Sequence, residues 1–417
     1  MMVNTTQRGR HSMEPSLAGG PLVGVRIVDL TTVLMGPYAS QILGDYGADV
    51  IKVEPPGGDN VRGIGPSRSP GMGAPFMNVN RNKRSIVLDL KHSSGREALL
   101  RLAATADVLL YNVRPQAMAR LGLAYEDICA VNPEIIYVGV YGYGQSGPYS
   151  AKPAYDDLIQ GATGFAELSM RAGNGPVYVP TPIADRFVGV GAVGAVTAAL
   201  FHRERTGEGQ SIEIPMFETM AQLVLADHLY GCSFVPPIGG TGYPRVLSEN
   251  RKPYRTSDGH VCVLVYTDKQ WHAFFTLIGR PEIMEEPRFA TIGARTENIG
   301  ALYALVAEVM TTRSTAAWIE VLEGVDIPVM PMNTVESLMD DPHLRAVGFL
   351  TEVEHPTEGT MLQIAVPSSW SKTAPGVRRQ SPRMGQHGRE VLDELGYSAH
   401  EIEALAAAGT THIPHDD

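Results

Sequence analysis

Cysteine is scarce: the 417 residues contain three, Cys129, Cys232 and Cys262, far apart and without C-x-x-C spacing. That excludes a disulfide framework and a cysteine-built zinc site, and it fits a reducing cytoplasm. No uncharged apolar run of about 18 residues marks a membrane span. The histidines form no i, i+4 pair that could grip a metal from a helix face, and none is arranged as part of a catalytic triad. Neither G-x-S-x-G nor G-x-x-x-x-G-K-[ST] occurs, so the common hydrolase, kinase and metalloenzyme templates fail. Internal repeats and low-complexity tracts are also missing.

What is present is ordinary globular material, 44% hydrophobic and 19% charged. The chain is long enough for two domains, because single cores rarely grow beyond roughly 250–300 residues. Residues 1–20 carry basic side chains but no apolar segment, and read as a disordered leader, not a signal peptide. The net charge of −11 argues against nucleic-acid binding. Charge is uneven, however: residues 50–120 hold eleven Lys/Arg against five Asp/Glu. A basic island in an acidic chain suggests a polyanionic ligand, although a solvated basic face would look the same.

In chain order, a strand over 25–30, a helix from about 37 and a strand over 49–53 form a βαβ unit, so those strands should be parallel. Strands over 85–88, 107–111 and 134–141 alternate with helices over 94–105, 115–121 and 125–131. This cadence predicts an α/β domain with a mostly parallel sheet covered on both faces. The run Gly142, Gly144, Gly147 matches G-x-G-x-x-G, but Pro148 and Pro153 follow, where the dinucleotide fingerprint should open a helix. Nicotinamide binding is therefore not expected, and the glycines are read as tight turns. Beyond a helix near 156–166, residues 185–202 form a Gly/Ala/Val helix suited to close packing. A strand over 211–215 and a helix over 218–229 lead to a Pro/Gly-rich boundary near Tyr230. Further strands and helices of a second segment end near 344. Strands around 349–354 and 361–366 and a helix over 388–395 close the chain.

Asp185 stands at the mouth of that small-residue helix. Aspartate is a favoured helix N-cap, and the same position suits a nucleophile whose charge the helix end stabilises. From the residues alone both roles are open. Asp156 and Asp157 read as caps of their own helix.

The segments GVRIVDLTTVLMGP, LGDYGADVIKVEPP, NRNKRSIVLDLK, DVLLYNVRP, YGYGQSGPY, AYDDLIQGATG, PIAD, ALFHRERTGEGQ and MGQHGREVLDELGYSAHEI occur in register. With them the chain resembles the family III CoA transferases, from Pro21 to about Leu405; α-methylacyl-CoA racemases belong to the same group. The resemblance implies a Rossmann-like large domain over 20–225 and 345–410, a smaller inserted domain over 226–344, and two chains interlocked as a homodimer. It also implies a CoA transferase acting on an acyl-CoA and a carboxylic acid, with no metal and no nicotinamide.

Carried over residue by residue, the resemblance makes Asp185 the nucleophile that attacks the donor thioester. Val33, Leu34, Leu88, Lys91, Asn112, Val113 and Arg120 would then surround coenzyme A, on the basic island. Leu34, Tyr155, Asp156, Gly239 and Gly240 would border the acyl pocket, with the glycine loop 238–242 as a lid. Racemases of the group carry a histidine where this chain has Tyr155, a poorer proton shuttle at neutral pH, which favours the transferase. A CoA-binding protein without turnover is the alternative of another class. Oxalate and formate users carry glutamine at the position of Leu34, so a different acyl group is expected. Arg62, Arg81 and Arg186 are candidates to clamp a second carboxylate of a dicarboxylate acceptor. A carboxylate ionised at pH 7 would need no base for this chemistry.

Overall fold

The computed structural model describes residues 19–414, so all but the end of the expected leader lies outside the described residues. The chain divides into two compact units, one from residues up to 159, 182–220 and 345 onward, the other from 160–181 and 221–344.

The first unit begins with strand β1 (Arg26–Asp29), helix α1 (Met35–Asp45) and strands β2 (Asp49–Glu54) and β3 (Lys83–Val87). Helix α2 (Ser93–Ala104), strand β4 (Val108–Tyr111), helix α3 (Tyr125–Val131) and strand β5 (Ile136–Tyr141) follow. Then come α4 (Asp156–Ala162), α5 (Ile183–Thr206), β6 (Gln210–Pro215) and α6 (Met216–His228). The six strands are parallel, in the order β3-β2-β1-β4-β5-β6. Strands β1 to β5 are buried almost throughout, as an internal parallel sheet requires. Edge strand β6 alternates instead. The order reverses between β1 and β4, so the loops leaving their carboxyl ends diverge and open a crevice, the usual ligand position of such sheets.

Helix α5 packs on α1 through the small residues that the sequence singled out. A Cβ added at Gly189 would lie 2.8 Å from the Met35 carbonyl oxygen, whereas Gly191 and Gly194 face no atom within 4 Å. Only Gly189 is therefore required for the close approach. Helix α5 is long and apolar enough to cross a membrane by length and composition alone. Here Ala184, Val188, Ala192, Val193, Val196 and Ala199 bury one side of it. Its carboxyl end stops at Gly207 in the left-handed region, with Arg203 and Arg205 in the last turn opposing the helix dipole. The run Gly142 to Gly147 opens no helix. Gly142 approaches Ala154 so closely that a Cβ would meet its methyl carbon at 2.2 Å, and the Gly144 N–H donates to Glu218 at 3.0 Å.

The second unit holds a small antiparallel sheet of β7 (Tyr254–Arg255), β8 (His260–Val263) and β9 (Val329–Pro331), with helices α7 (Asp268–Leu277), α8 (Ile299–Met310) and α9 (Thr315–Glu323). Trp271, Phe274, Phe275, Leu302 and Trp318 form its core.

The chain then returns to the first unit as a hairpin of β10 (Leu350–His355) and β11 (Gly359–Ile364) and helices α10 (Gly388–Glu394) and α11 (Ala399–Ala407). This return covers the exposed side of edge strand β3. The Ser85 N–H donates to His387 Nδ1 at 3.2 Å, the His387 N–H to the Ser85 carbonyl at 2.9 Å, and Thr411 Oγ1 to the Val87 carbonyl at 2.7 Å. An edge that would otherwise template pairing with another strand is thereby satisfied. Burial pushes His387 down to about 4, which keeps its Nδ1 an acceptor.

Candidate active site

Asp185 is the third residue of α5, not its N-cap; that place is held by Pro182, which offers no side-chain cap. The cap comes from elsewhere: Asp156 Oδ2 accepts the Asp185 backbone N–H at 2.9 Å. Asp156, at the start of α4, thus serves the neighbouring helix, a role that the sequence did not suggest. Burial, and after it the Asp156 charge, push the Asp185 carboxyl up to about 7, against the pull of Arg186. The side chain expected to be fully ionised at neutral pH is therefore poised between its two forms.

One turn further on, Gly189 touches Met35, and the Arg186 guanidinium lies 4.4 Å from the Tyr38 ring centre. The amino ends of α1 and α5 therefore lie side by side. The first turn of α1 has neither a side-chain cap nor an acidic residue, so its positive end remains available to negative charge. Leu34 is its N-cap residue, and Val33 before it has φ +70°. Val33 and Leu34 leave β1, Asn112 and Val113 leave β4, and these two loops flank the crevice where the strand order reverses. Asn112 ties them together: its Nδ2 donates to the Thr32 carbonyl at 2.8 Å and its Oδ1 accepts the Thr32 N–H at 3.0 Å. Val113 is 38% exposed.

The remaining expected contacts divide. Leu88 is 1% exposed and sits in the main core with Val28, Ile51 and Leu109, so only its backbone could meet a ligand. Lys91 and Arg120 are exposed. Tyr155, beside Asp156, is 68% exposed. Gly239 and Gly240 belong to the second unit, where their loop folds onto the turn Tyr230–Ser233. The Gly231 N–H donates to the Gly240 carbonyl at 3.1 Å. In that turn Gly231 is the glycine that the packing demands, since a Cβ there would strike Gly239 at 2.5 Å.

Most of the basic island is neutralised internally. Lys52 pairs with Asp59, Lys83 with Asp29, Arg62 with Glu54, Arg81 with Asp45, and Arg84 with Asp49, Glu390 and Glu394. Several partners lie outside residues 50–120, so a count along the sequence could not reveal them. Arg62 in particular is spent: it forks onto both Glu54 oxygens at 2.7 Å and lies 3.8 Å over the Phe76 ring. It cannot clamp a substrate. Arg81 and Arg186 instead line one cleft of about 550 Å³, together with Tyr38, Gln41 and the hairpin residues Met361 and Ile364.

Residues 22–388 match CoA-transferase family III. The chain is 34% identical over 385 residues to the succinate--glutarate CoA-transferase of Agrobacterium fabrum, covering 90% of this chain and 96% of that protein. It is 32% identical to the succinyl-CoA:mesaconate CoA-transferase of Haloarcula marismortui, covering 95% and 100% respectively. The crystal structure of a CAIB/BAIF family protein from Brucella suis superposes with a TM-score of 0.76 at 33% identity, over 90% of this chain and 100% of that one. With the Rossmann-type strand order and the crevice-forming loops already in place, these matches show that the chain belongs to CoA-transferase family III.

Proposed function

We propose that this enzyme moves CoA from an acyl-CoA to a dicarboxylic acid, with Asp185 carrying the acyl group and then CoA. The observation that supports this best is Asp185 itself, half-buried at the amino end of α5 and alongside the α1 end that begins with Leu34. In its ionised form the carboxylate attacks the thioester carbonyl, giving a mixed anhydride and CoA thiolate. The thiolate then attacks the aspartyl carbonyl, forming an aspartyl-CoA thioester and releasing the donor acid. The acceptor carboxylate reverses both steps and leaves as the new acyl-CoA. One thioester replaces another, so binding energy serves mainly to orient the carboxylates and exclude water.

Val33, Leu34, Asn112 and Val113 would hold the coenzyme in the crevice, the Leu88 backbone would edge it, and Lys91 and Arg120 would meet its phosphates. Tyr155, Asp156 and the Gly239-Gly240 loop would bound the acyl end. Arg186 is the candidate for the second carboxylate, a choice supported by the dicarboxylate names of the relatives. The second unit would be an inserted domain, and two chains would interlock. Phe187, Val190 and Phe201, exposed along α5, support a covered face there.

The test is incubation with succinyl-CoA followed by hydroxylamine, with peptide mass mapping. A hydroxamate confined to Asp185, and loss of transfer in Asp185→Asn, are expected. Transfer retained in that variant would overturn the mechanism. Proton exchange at the α-carbon of a 2-methylacyl-CoA without transfer would favour a racemase, and CoA binding without any adduct a non-catalytic role.

A further inference from the structure

The backbone of the β1 loop is held by buried side chains to an unusual degree. Asp29 Oδ1 accepts the Thr31 N–H at 2.9 Å, and Lys52 Nζ donates to the Thr31 carbonyl at 2.8 Å. Asn112 takes both backbone polar groups of Thr32. Asp59 Oδ1 accepts the Val33 N–H at 3.1 Å, while its Oδ2 receives Lys52 Nζ at 2.9 Å. Lys52 and Lys83 are completely buried, as is Asp29, and Asp59 is 2% exposed. Beneath them Lys83 Nζ bonds Asp29, Asn80 and the Pro37 carbonyl.

The loop thus rests on two interior ion pairs, and its last residue is a β-branched valine at φ +70°. A β-branched residue in that region is a steric outlier and persists only where its surroundings over-determine it. None of these four charged groups is needed for bond-making at Asp185. Interior ion pairs are also poor sources of net stability compared with apolar replacements of the same volume.

We propose that Asp59, braced by Lys52, is a positioning residue: it holds Val33 in its left-handed conformation so that the β1 loop is already shaped to receive the coenzyme. This rests on the functional reading above, in which that loop lines the CoA crevice. Ordering the loop before the ligand arrives removes a cost that binding would otherwise meet.

The test is titration of the full-length protein with CoA, alongside steady-state kinetics with the acyl-CoA varied. In Lys52→Met/Asp59→Leu the pair is replaced by apolar side chains. That variant should keep its melting temperature within a few degrees, bind CoA about tenfold more weakly and raise KM for the acyl-CoA by the same factor. Its kcat at saturation and its KM for the acceptor acid should stay within about twofold of wild type. Asp59→Asn, which retains an oxygen for the Val33 N–H, should bind CoA more tightly than Asp59→Ala. A folded double variant with unchanged CoA affinity would overturn the proposal. Equal affinity in Asp59→Asn and Asp59→Ala would do so even if the double variant failed to fold. Failure of the wild-type protein to bind CoA would instead remove the functional reading on which the proposal stands.

Discussion

Asp156 Oδ2 accepts the backbone N–H of Asp185 at 2.9 Å, which brings two carboxyl groups together at the mouth of α5. The bond anchors the helix end, while the negative charge of Asp156 discourages ionisation of Asp185. One residue therefore both positions the proposed nucleophile and adds to the effect of burial in raising the pH at which it ionises.

The first expectation concerns pH. With Asp185 up to about 7 and only its ionised form nucleophilic, kcat/KM for transfer should rise with pH through about 7 and level off above it. Asp156→Asn keeps an acceptor for the Asp185 N–H but removes the like charge. Its inflection should move to lower pH by on the order of one unit. An unmoved inflection would mean that Asp156 does not set the ionisation.

Stability should carry the opposite mark. The folded chain binds a proton at Asp185 that the unfolded chain has already released, because the folded value lies above the ordinary 3.8. The group thus costs nothing below about pH 4, costs progressively more up to about pH 7, and costs its full amount above. Asp185→Asn, inactive by the proposed mechanism, should stabilise the protein by on the order of 1–2 kcal/mol at pH 8, with no gain at pH 4. Urea denaturation at the two pH values measures it.

The parallel sheet was legible because continuous apolar strands separated by helices admit few other packings, and β1, β2, β4 and β5 fall close to their expected places. Asp185 was legible as a residue, yet its position within the helix was not, because the true cap, Asp156, lies 29 residues earlier in the chain. The pairing of most of the basic island was not legible for a related reason. Arg84 finds Glu390 and Glu394 some 300 residues away, and no local pattern records a partner at that separation. Asp59 carried no signal either: it resembles any turn aspartate until the fold brings Val33 and Lys52 to it.

Of the arginines considered for a second carboxylate, Arg62 and Arg186 should separate in solution. Arg62→Met breaks a buried, doubly hydrogen-bonded pair with Glu54 and should cost about 3–5 kcal/mol of stability. Arg186→Gln should fold normally and raise KM for a dicarboxylic acceptor several-fold, with KM for the acyl-CoA little changed. Acceptor kinetics with a dicarboxylic acid and its monocarboxylic analogue would show whether the loss follows the second carboxylate.

The packing of α5 on α1 gives the last expectation, since it keeps Asp185 next to the α1 end. A methyl group at Gly189 would sit 2.8 Å from the Met35 carbonyl oxygen, and a backbone atom cannot rotate aside as a side chain can. Gly189→Ala should therefore force the helices apart and cost about 1–3 kcal/mol, with a further loss of activity as Asp185 shifts. Gly191 lies two residues along the same helix, and a methyl group there would meet no atom of its own chain within 4 Å. On a face open to water the change to alanine at that position would stabilise by about 0.5–1 kcal/mol, because glycine is a poor helix former and nothing in its own chain opposes the added carbon. Thermal melts of the two variants compare them directly. If Gly191→Ala destabilised instead, and the loss grew at low protein concentration, the outer face of α5 would be covered by a second copy and not by water.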